Sequence, residues 1–187
     1  MRPPLATVVL AAALSVGLSA APARADQNDP RLEGLFWRLK EVSSSSEARR
    51  IEAEIWQIWL EGENEDANLL MGQGVLYMAR RELSQALLTF EALVQQAPRF
   101  AEGWNKRATV NFLIGNYDAS VRDIERTLVL EPRHFGALSG LGQIYLALGR
   151  KEAALKAFEA ALAINPHLSG IRSTVETLRK EVGGSPT

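Results

Sequence analysis

Apolar residues recur along most of this chain at spacings of three and four, the pattern of helices that bury one face. From residue 67 onward they also keep a longer register. Pro98, Pro132 and Pro166 stand 34 residues apart, and each closes one copy of the same pattern. The fourth position holds Leu70, Trp104 and Leu138; the eighth, Gly74, Ala108 and Gly142; the twentieth, Ala86, Ser120 and Ala154; the twenty-fourth, Phe90, Ile124 and Phe158. Small residues at the eighth and twentieth positions let two antiparallel helices cross closely, and the larger residue at the twenty-fourth fills the space beside the crossing. A proline lacks the backbone donor that the next turn needs, so it ends the second helix. Turn signals end the first helix of each copy: Gly115 with Asn116, Gly149 with Arg150 and, more weakly, Arg80 with Arg81. The pattern predicts helical hairpins over residues 67–100, 101–134 and 135–168, stacked as an array.

Three such copies in one register resemble the tetratricopeptide repeat family. The likeness covers about residues 67–168 and is closest in the second and third copies, at Ala101, Glu102, Gly103 and Trp104 and at Leu141, Gly142, Gln143, Ile144 and Tyr145. Two positions depart from it. The eleventh is Tyr77 and Tyr145 but Asn111, and the twenty-seventh is Leu93, Thr127 and Ala161. The resemblance implies an all-α fold, a right-handed α-solenoid of helical hairpins with capping helices at both ends. It also implies that the first helices line a concave face. Positions two, five, nine, twelve and thirteen of each first helix share one side, because their spacings alternate between three and four. The expected groove is therefore Asn68, Met71, Val75 and Met78, then Glu102, Asn105, Thr109, Phe112 and Leu113, then Gly136, Ser139, Gln143 and Leu146. Methionines adapt to varied apolar partners, and Asn105 and Gln143 can pair with a peptide backbone, so the expected partner is another protein or a peptide. The family's best-known mode grips a C-terminal carboxylate with basic residues. Met71, Val75, Gly136 and Gly140 occupy matching positions here, so that clamp is not expected.

The flanks are read from their own residues. Asp29 and Pro30 begin a helix carrying Leu32, Leu35, Phe36 and Leu39. Ser43 to Ser46 form a polar break, and Ser44 with Glu47 form a capping box for a second helix carrying Ile51, Ile55, Ile58 and Trp59. This pair, within residues 26–66, is expected to cap the first hairpin or to be a decayed repeat. Trp37, Trp56 and Trp59 lie in it, and any that is exposed is a candidate partner contact. A last helix over residues 169–182, with Ile171, Val175 and Leu178, is expected to cap the third repeat, ahead of a frayed tail at 183–187.

Composition then narrows the function. Arg2, an apolar run at residues 5–18 and Ala23, Arg24 and Ala25 read as a signal peptide over residues 1–25. The run falls short of the ~20 residues needed to span a bilayer. Export, most simply to a bacterial periplasm, is the expectation. With no cysteine, the chain can form no disulfide and carries no thiolate. Of 21 basic side chains, removal of Arg2 and Arg24 leaves 19 against 22 acidic ones, a formal charge of −3. That balance gives no general attraction for nucleic acid or an anionic membrane. His134 and His167 lie beside the closing prolines, a repeat apart, roughly 10 Å, too far to share a metal. Glu52 and Glu54 point to opposite sides of their helix. Glu61, Glu63, Glu65 and Asp66 form an acidic loop without the alternating spacing of a calcium loop. No cofactor, metal or catalytic set is expected, and the chain reads as a non-enzymatic adaptor or scaffold. Two alternatives stand beside it: a self-associating structural protein, and a binder of a small ligand or cell-wall fragment through Asn105 and Gln143.

Overall fold

The computed structural model describes residues 27–183, which form nine helices and no strand. The expected signal peptide and the residues after Gly183 lie outside that span. The first two helices are α1 (Arg31–Glu41) and α2 (Ser45–Leu60). The three hairpins are α3 (Glu65–Ala79) with α4 (Leu83–Gln96), α5 (Ala101–Leu113) with α6 (Tyr117–Leu130), and α7 (Phe135–Ala147) with α8 (Lys151–Ile164); α9 (Ser169–Gly183) follows. The caps match local chemistry. The Asp29 carboxylate accepts from the Arg31 backbone N–H at 2.8 Å, Ser44 accepts from that of Glu47 at 3.4 Å, and Asn64 accepts from that of Ala67 at 2.9 Å. These side chains satisfy donors that the first turn leaves unpaired.

The repeat register appears directly in the backbone. Arg81, Gly115 and Gly149, each at the fifteenth position, have φ of 60°, 81° and 71°. In each copy the next residue donates back five positions: Glu82 to Tyr77, Asn116 to Asn111 and Arg150 to Tyr145. All three first helices therefore end on a left-handed residue in the same closing motif. Arg81 fills that conformation where its equivalents are glycine, which is why the first turn is the weakest to read from sequence.

Inside each hairpin the eighth and twenty-fourth positions compensate for each other. Gly74 faces Phe90, Gly142 faces Phe158, and the larger Ala108 shares its cluster with the smaller Ile124. A Cβ placed on Gly142 would clash with the Phe158 ring. Gly142→Ala is therefore expected to cost about 1–3 kcal/mol from overpacking, despite roughly 1 kcal/mol of gained helix propensity. Urea unfolding at an unchanged m-value checks this, and an equal or higher midpoint would refute it.

The two departures in the second repeat belong to one buried polar network. Asn111 donates to Asp123 at 3.1 Å, and Arg107 meets the same carboxylate through two donors at 2.9 and 2.6 Å. The Thr127 hydroxyl donates to the Asp123 carbonyl at 2.9 Å. Where the neighbouring repeats place tyrosine, this one places an amide partner for a buried carboxylate, as a buried charge requires, and the Thr127 hydroxyl is satisfied by a carbonyl of its own helix.

The N-terminal pair does not cap the first hairpin, a correction to the role expected of it. It lies across the three linkers that follow α4, α6 and α8. The Gln27 side-chain amide donates to the Arg99 carbonyl at 2.6 Å and accepts from the Ala101 N–H. Glu33 pairs with Arg133 at 3.2 Å, and that guanidinium lies 4.4 Å from the Phe36 ring centre. Farther along, the His167 ring donates to the Leu39 carbonyl at 2.9 Å. Six helical residues advance about 9 Å, close to the spacing of adjacent packed helices, about 8–10 Å. Helix α1 thus meets each linker in turn as it runs along them. The apolar faces of α1 and α2 are buried in a cluster that reaches Phe135, Ile164 and Leu168 in the repeats. The pair is held by the second and third repeats, because its apolar stripe matches surface found there.

Candidate functional site

Helix α2 brings Trp56 and Trp59 against the start of α7. The Trp59 ring, 1 % exposed, stacks on His134 with centroids 4.2 Å apart and planes 12° apart. Trp56 meets His134 and Phe135 edge-on at 5.6 and 5.5 Å. Gly136 makes this approach feasible, since a Cβ there would lie 2.5 Å from the Trp56 ring.

Beneath the two indoles lies a buried ionic centre. Glu102 is 1 % exposed, and its carboxylate takes Lys106 Nζ at 2.8 Å, Asn105 Nδ2 at 3.0 Å and His134 Nε2 at 2.7 Å. His134 Nδ1 accepts from the Ala137 N–H at 3.0 Å and so caps α7. An Nδ1 that accepts carries no proton; the ring's proton sits on Nε2 and is given to Glu102. Burial alone would raise the Glu102 carboxyl. The charge of Lys106 and the hydrogen bond from His134 outweigh it and hold the carboxyl below its ordinary value of 4.5. Both histidines stand in linkers, as read, and both fasten the N-terminal pair to the repeats.

Trp56, α5 and α7 enclose a cavity of about 220 Å³. Its polar lining is Asn105, Lys106, Thr109, Ser120, Ser139 and Gln143; its apolar floor includes Phe112, Ile124 and Ile144, with Gly136 and Gly140 on the α7 side. The Thr109 and Ser139 hydroxyls donate to carbonyls of their own helices, those of Asn105 and Phe135. They are left with acceptor capacity toward a guest, as is the Asn105 side-chain oxygen. A larger hollow of about 410 Å³ lies between α1 and α2, but its lining comes only from those helices and Glu61, with two arginines and two glutamates at its rim.

Six of the expected groove residues meet at the cavity: Asn105, Thr109, Phe112, Gly136, Ser139 and Gln143. The others do not join it. Met71 is buried in the core with Phe90 and Val110, because α5 packs across that face of α3. Met78 packs on the same cluster. Glu102 is the buried anion described above and presents no open surface. Asn68 accepts from the Gly62 N–H at 2.6 Å, Val75 is exposed away from the cavity, and Leu146 packs beside Phe158 and Val175. Leu113 is exposed at the end of α5. Sequence reasoning missed Trp56 as a wall. The clustering of three tryptophans was the available signal, and its meaning depended on where α2 lies. Of the three, only Trp37 is largely exposed, at 67 %.

The family model described as tetratricopeptide repeat matches residues 71–126 and 106–169. A TPR repeat-containing protein of Rhizobium etli is 37 % identical over 157 residues, 84 % of this chain and 77 % of that protein. The small glutamine-rich tetratricopeptide repeat-containing protein 2 of Saccharomyces cerevisiae is 28 % identical over 68 % of this chain, which spans 36 % of that longer protein. Among solved structures, the first TPR of Spaghetti bound to an HSP90 peptide aligns with a TM-score of 0.62 at 18 % identity, over 65 % of this chain and 97 % of its own. The crystal structure of MamA aligns at 0.60 and 19 % identity, over 84 % of each chain. At such identities the alignments speak to the fold alone.

Proposed function

The chain belongs to the tetratricopeptide repeat family, and from that premise we propose that it is a non-enzymatic adaptor holding a peptide segment of another protein in the cavity between Trp56, α5 and α7. The fold is one of protein-interaction scaffolds, and its solved neighbours include a TPR domain bound to a peptide. One observation carries the finer reading: the cavity combines an apolar floor with amide and hydroxyl side chains from two successive first helices in its lining. That arrangement takes one apolar side chain at the floor and pairs the peptide backbone at the rim with Asn105 and Gln143. Trp56 closes one side of the groove, so the peptide is expected to enter from the α5 and α7 turns. The charged groups nearest the cavity, Lys106 and Glu102, are paired with each other, which favours a neutral peptide segment over a free carboxylate. Export through residues 1–25 would set the work in a cell envelope.

Photocrosslinking in cells from position 143, with Arg126 on α6 as control, tests the reading. A discrete protein captured only from position 143 supports it; equal capture at both positions sinks it. Gly140→Leu supplies the quantitative arm. It fills the cavity at a position where a Cβ has ordinary room, its nearest neighbour being Ile124 at 3.6 Å. The captured partner is expected to bind at least ~10-fold more weakly, with the melting temperature retained.

A further inference from the structure

Among the described residues, the α3 end of the hairpin stack is uncovered. In the second and third repeats, positions three and ten of the first helix are buried beneath the preceding second helix. Gly103 lies against Leu93, Val110 joins the cluster of Phe90 and Leu93, and Ala137 and Ile144 pack with Ile124. The same positions in α3 are Leu69 and Leu76, 60 % and 48 % exposed. The N-terminal pair, which would have covered them, lies instead across the linkers.

We infer that the exposed face of α3 is a dimer interface, paired antiparallel with α3 of a second copy of this chain. The stripe itself carries the inference. Glu65, Leu69, Gly72, Leu76 and Arg80 follow one another at spacings of four, three, four and four, so they share one side of the helix. All five are exposed. Read in the two directions, the stripe complements itself. With a two-fold axis passing near Gly72, Leu69 meets Leu76 of the second copy, and Glu65 meets Arg80 of the second copy, twice over. Among the described residues neither Glu65 nor Arg80 has an ion-pair partner in its own chain. Nothing lies within 4 Å of a Cβ built on Gly72, so the missing side chain at the axis lets the helices approach closely.

Head-to-tail stacking fits less well. Helix α9, the last described helix, carries Arg172, Glu176 and Arg179 where the first helices of the repeats before it have apolar, small or hydrogen-bonded residues. A charged end does not complement an apolar one, and the isologous contact also closes on itself rather than growing into a filament. The contact is one helix pair, at or below the ~1,200–2,000 Å² of stable interfaces, so a micromolar dissociation constant is expected. This surface is separate from the Trp56 cavity, and either can fail without the other.

The test is sedimentation equilibrium of the protein in the form that accumulates in cells, over a range of micromolar concentrations. The wild type is expected to reach twice its chain mass. Leu69→Glu with Leu76→Glu is expected to weaken association at least ~30-fold while helix content and melting temperature stay unchanged, since both side chains are exposed. Arg80→Glu alone should weaken it, and Glu65→Arg added to Arg80→Glu should restore it, an exchange that only antiparallel self-pairing explains. Because the chain has no cysteine, Gly72→Cys supplies a single thiol at the axis and should oxidise to a covalent dimer, whereas Gln85→Cys on α4 should not. A monomer throughout, a dimer indifferent to the leucine changes, failed charge exchange, or capture of a different protein at position 72 would each overturn the assignment.

Discussion

Trp59→Ala is expected to lower the unfolding free energy by about 3–5 kcal/mol and to detach the N-terminal helices from the repeats. Trp59 is the largest fully buried side chain in the described chain. It stacks on His134 and contacts the rings of Phe36, Trp56 and Phe135 with centroids 5.9, 5.3 and 5.2 Å away. Aromatic pairs add roughly 0.5–1.5 kcal/mol each beyond the area they bury. Alanine would leave a cavity where α2 meets α7, and the remaining ties of α1 are mostly single polar contacts at the linkers. The indole N–H has no partner among the described residues, so Trp59→Phe loses ring area but no hydrogen bond and is expected to cost the lesser part. Hydrogen exchange reads the second half of the prediction. Amides of residues 31–60 should lose protection in Trp59→Ala while those of α5 to α8 keep theirs. Uniform loss across the chain would mean that the pair and the repeats unfold as one unit.

The second large effect is expected at Glu102. Replacement by alanine removes the shared acceptor of Lys106, Asn105 and His134. The His134 Nε2–H then has no acceptor in a dry site. Breaking such a buried set by deleting one partner costs about 3–5 kcal/mol, and chemical denaturation measures it. Glu102→Gln keeps an acceptor and should cost less. The pH dependence separates charge from shape. The folded carboxyl binds its proton more weakly than the unfolded one, whose value is the ordinary 4.5. Its stabilisation is therefore complete above about that pH and is lost as pH falls through the lower folded value. Asp29, lowered from 3.8 chiefly by its hydrogen bond from Arg31, acts in the same sense and is present in both proteins. Wild type should thus lose stability more steeply than Glu102→Gln below pH ~4.5, and parallel acid limbs would contradict the ionic account.

How much of this was legible in the sequence depends on the range of the contacts involved. The three hairpins were readable because each repeats a local instruction. A left-handed turn residue, a small residue at the crossing and a proline at the exit act over a few positions or across one hairpin, and they recur every 34 residues. Asn111 departs from that pattern for a reason a single copy does not reveal, since it answers the buried carboxylate of Asp123. Half of the expected groove was also legible, on α5 and α7, where the family register placed Asn105, Thr109, Phe112, Gly136, Ser139 and Gln143. The α3 part was not. Met71 and Met78 have side chains long enough to turn into the core, and a face assigned from helical angle says nothing about what the next helix covers.

The N-terminal pair marks the boundary most clearly. Its helices, its Asp29 and Ser44 caps and its apolar stripe follow from residues 27–60 alone, because helix formation and capping are local. Where the pair docks was decided only in three dimensions. An apolar stripe states that a face must be buried, and hydrophobic burial carries no direction. The pair's direction came from contacts more than 70 residues away in sequence: Gln27 with Arg99, Trp59 with His134, and Leu39 with His167. By occupying the linkers it walled the cavity with Trp56 and left the Leu69 and Leu76 face of α3 uncovered, two surfaces that local sequence pattern had no means to assign.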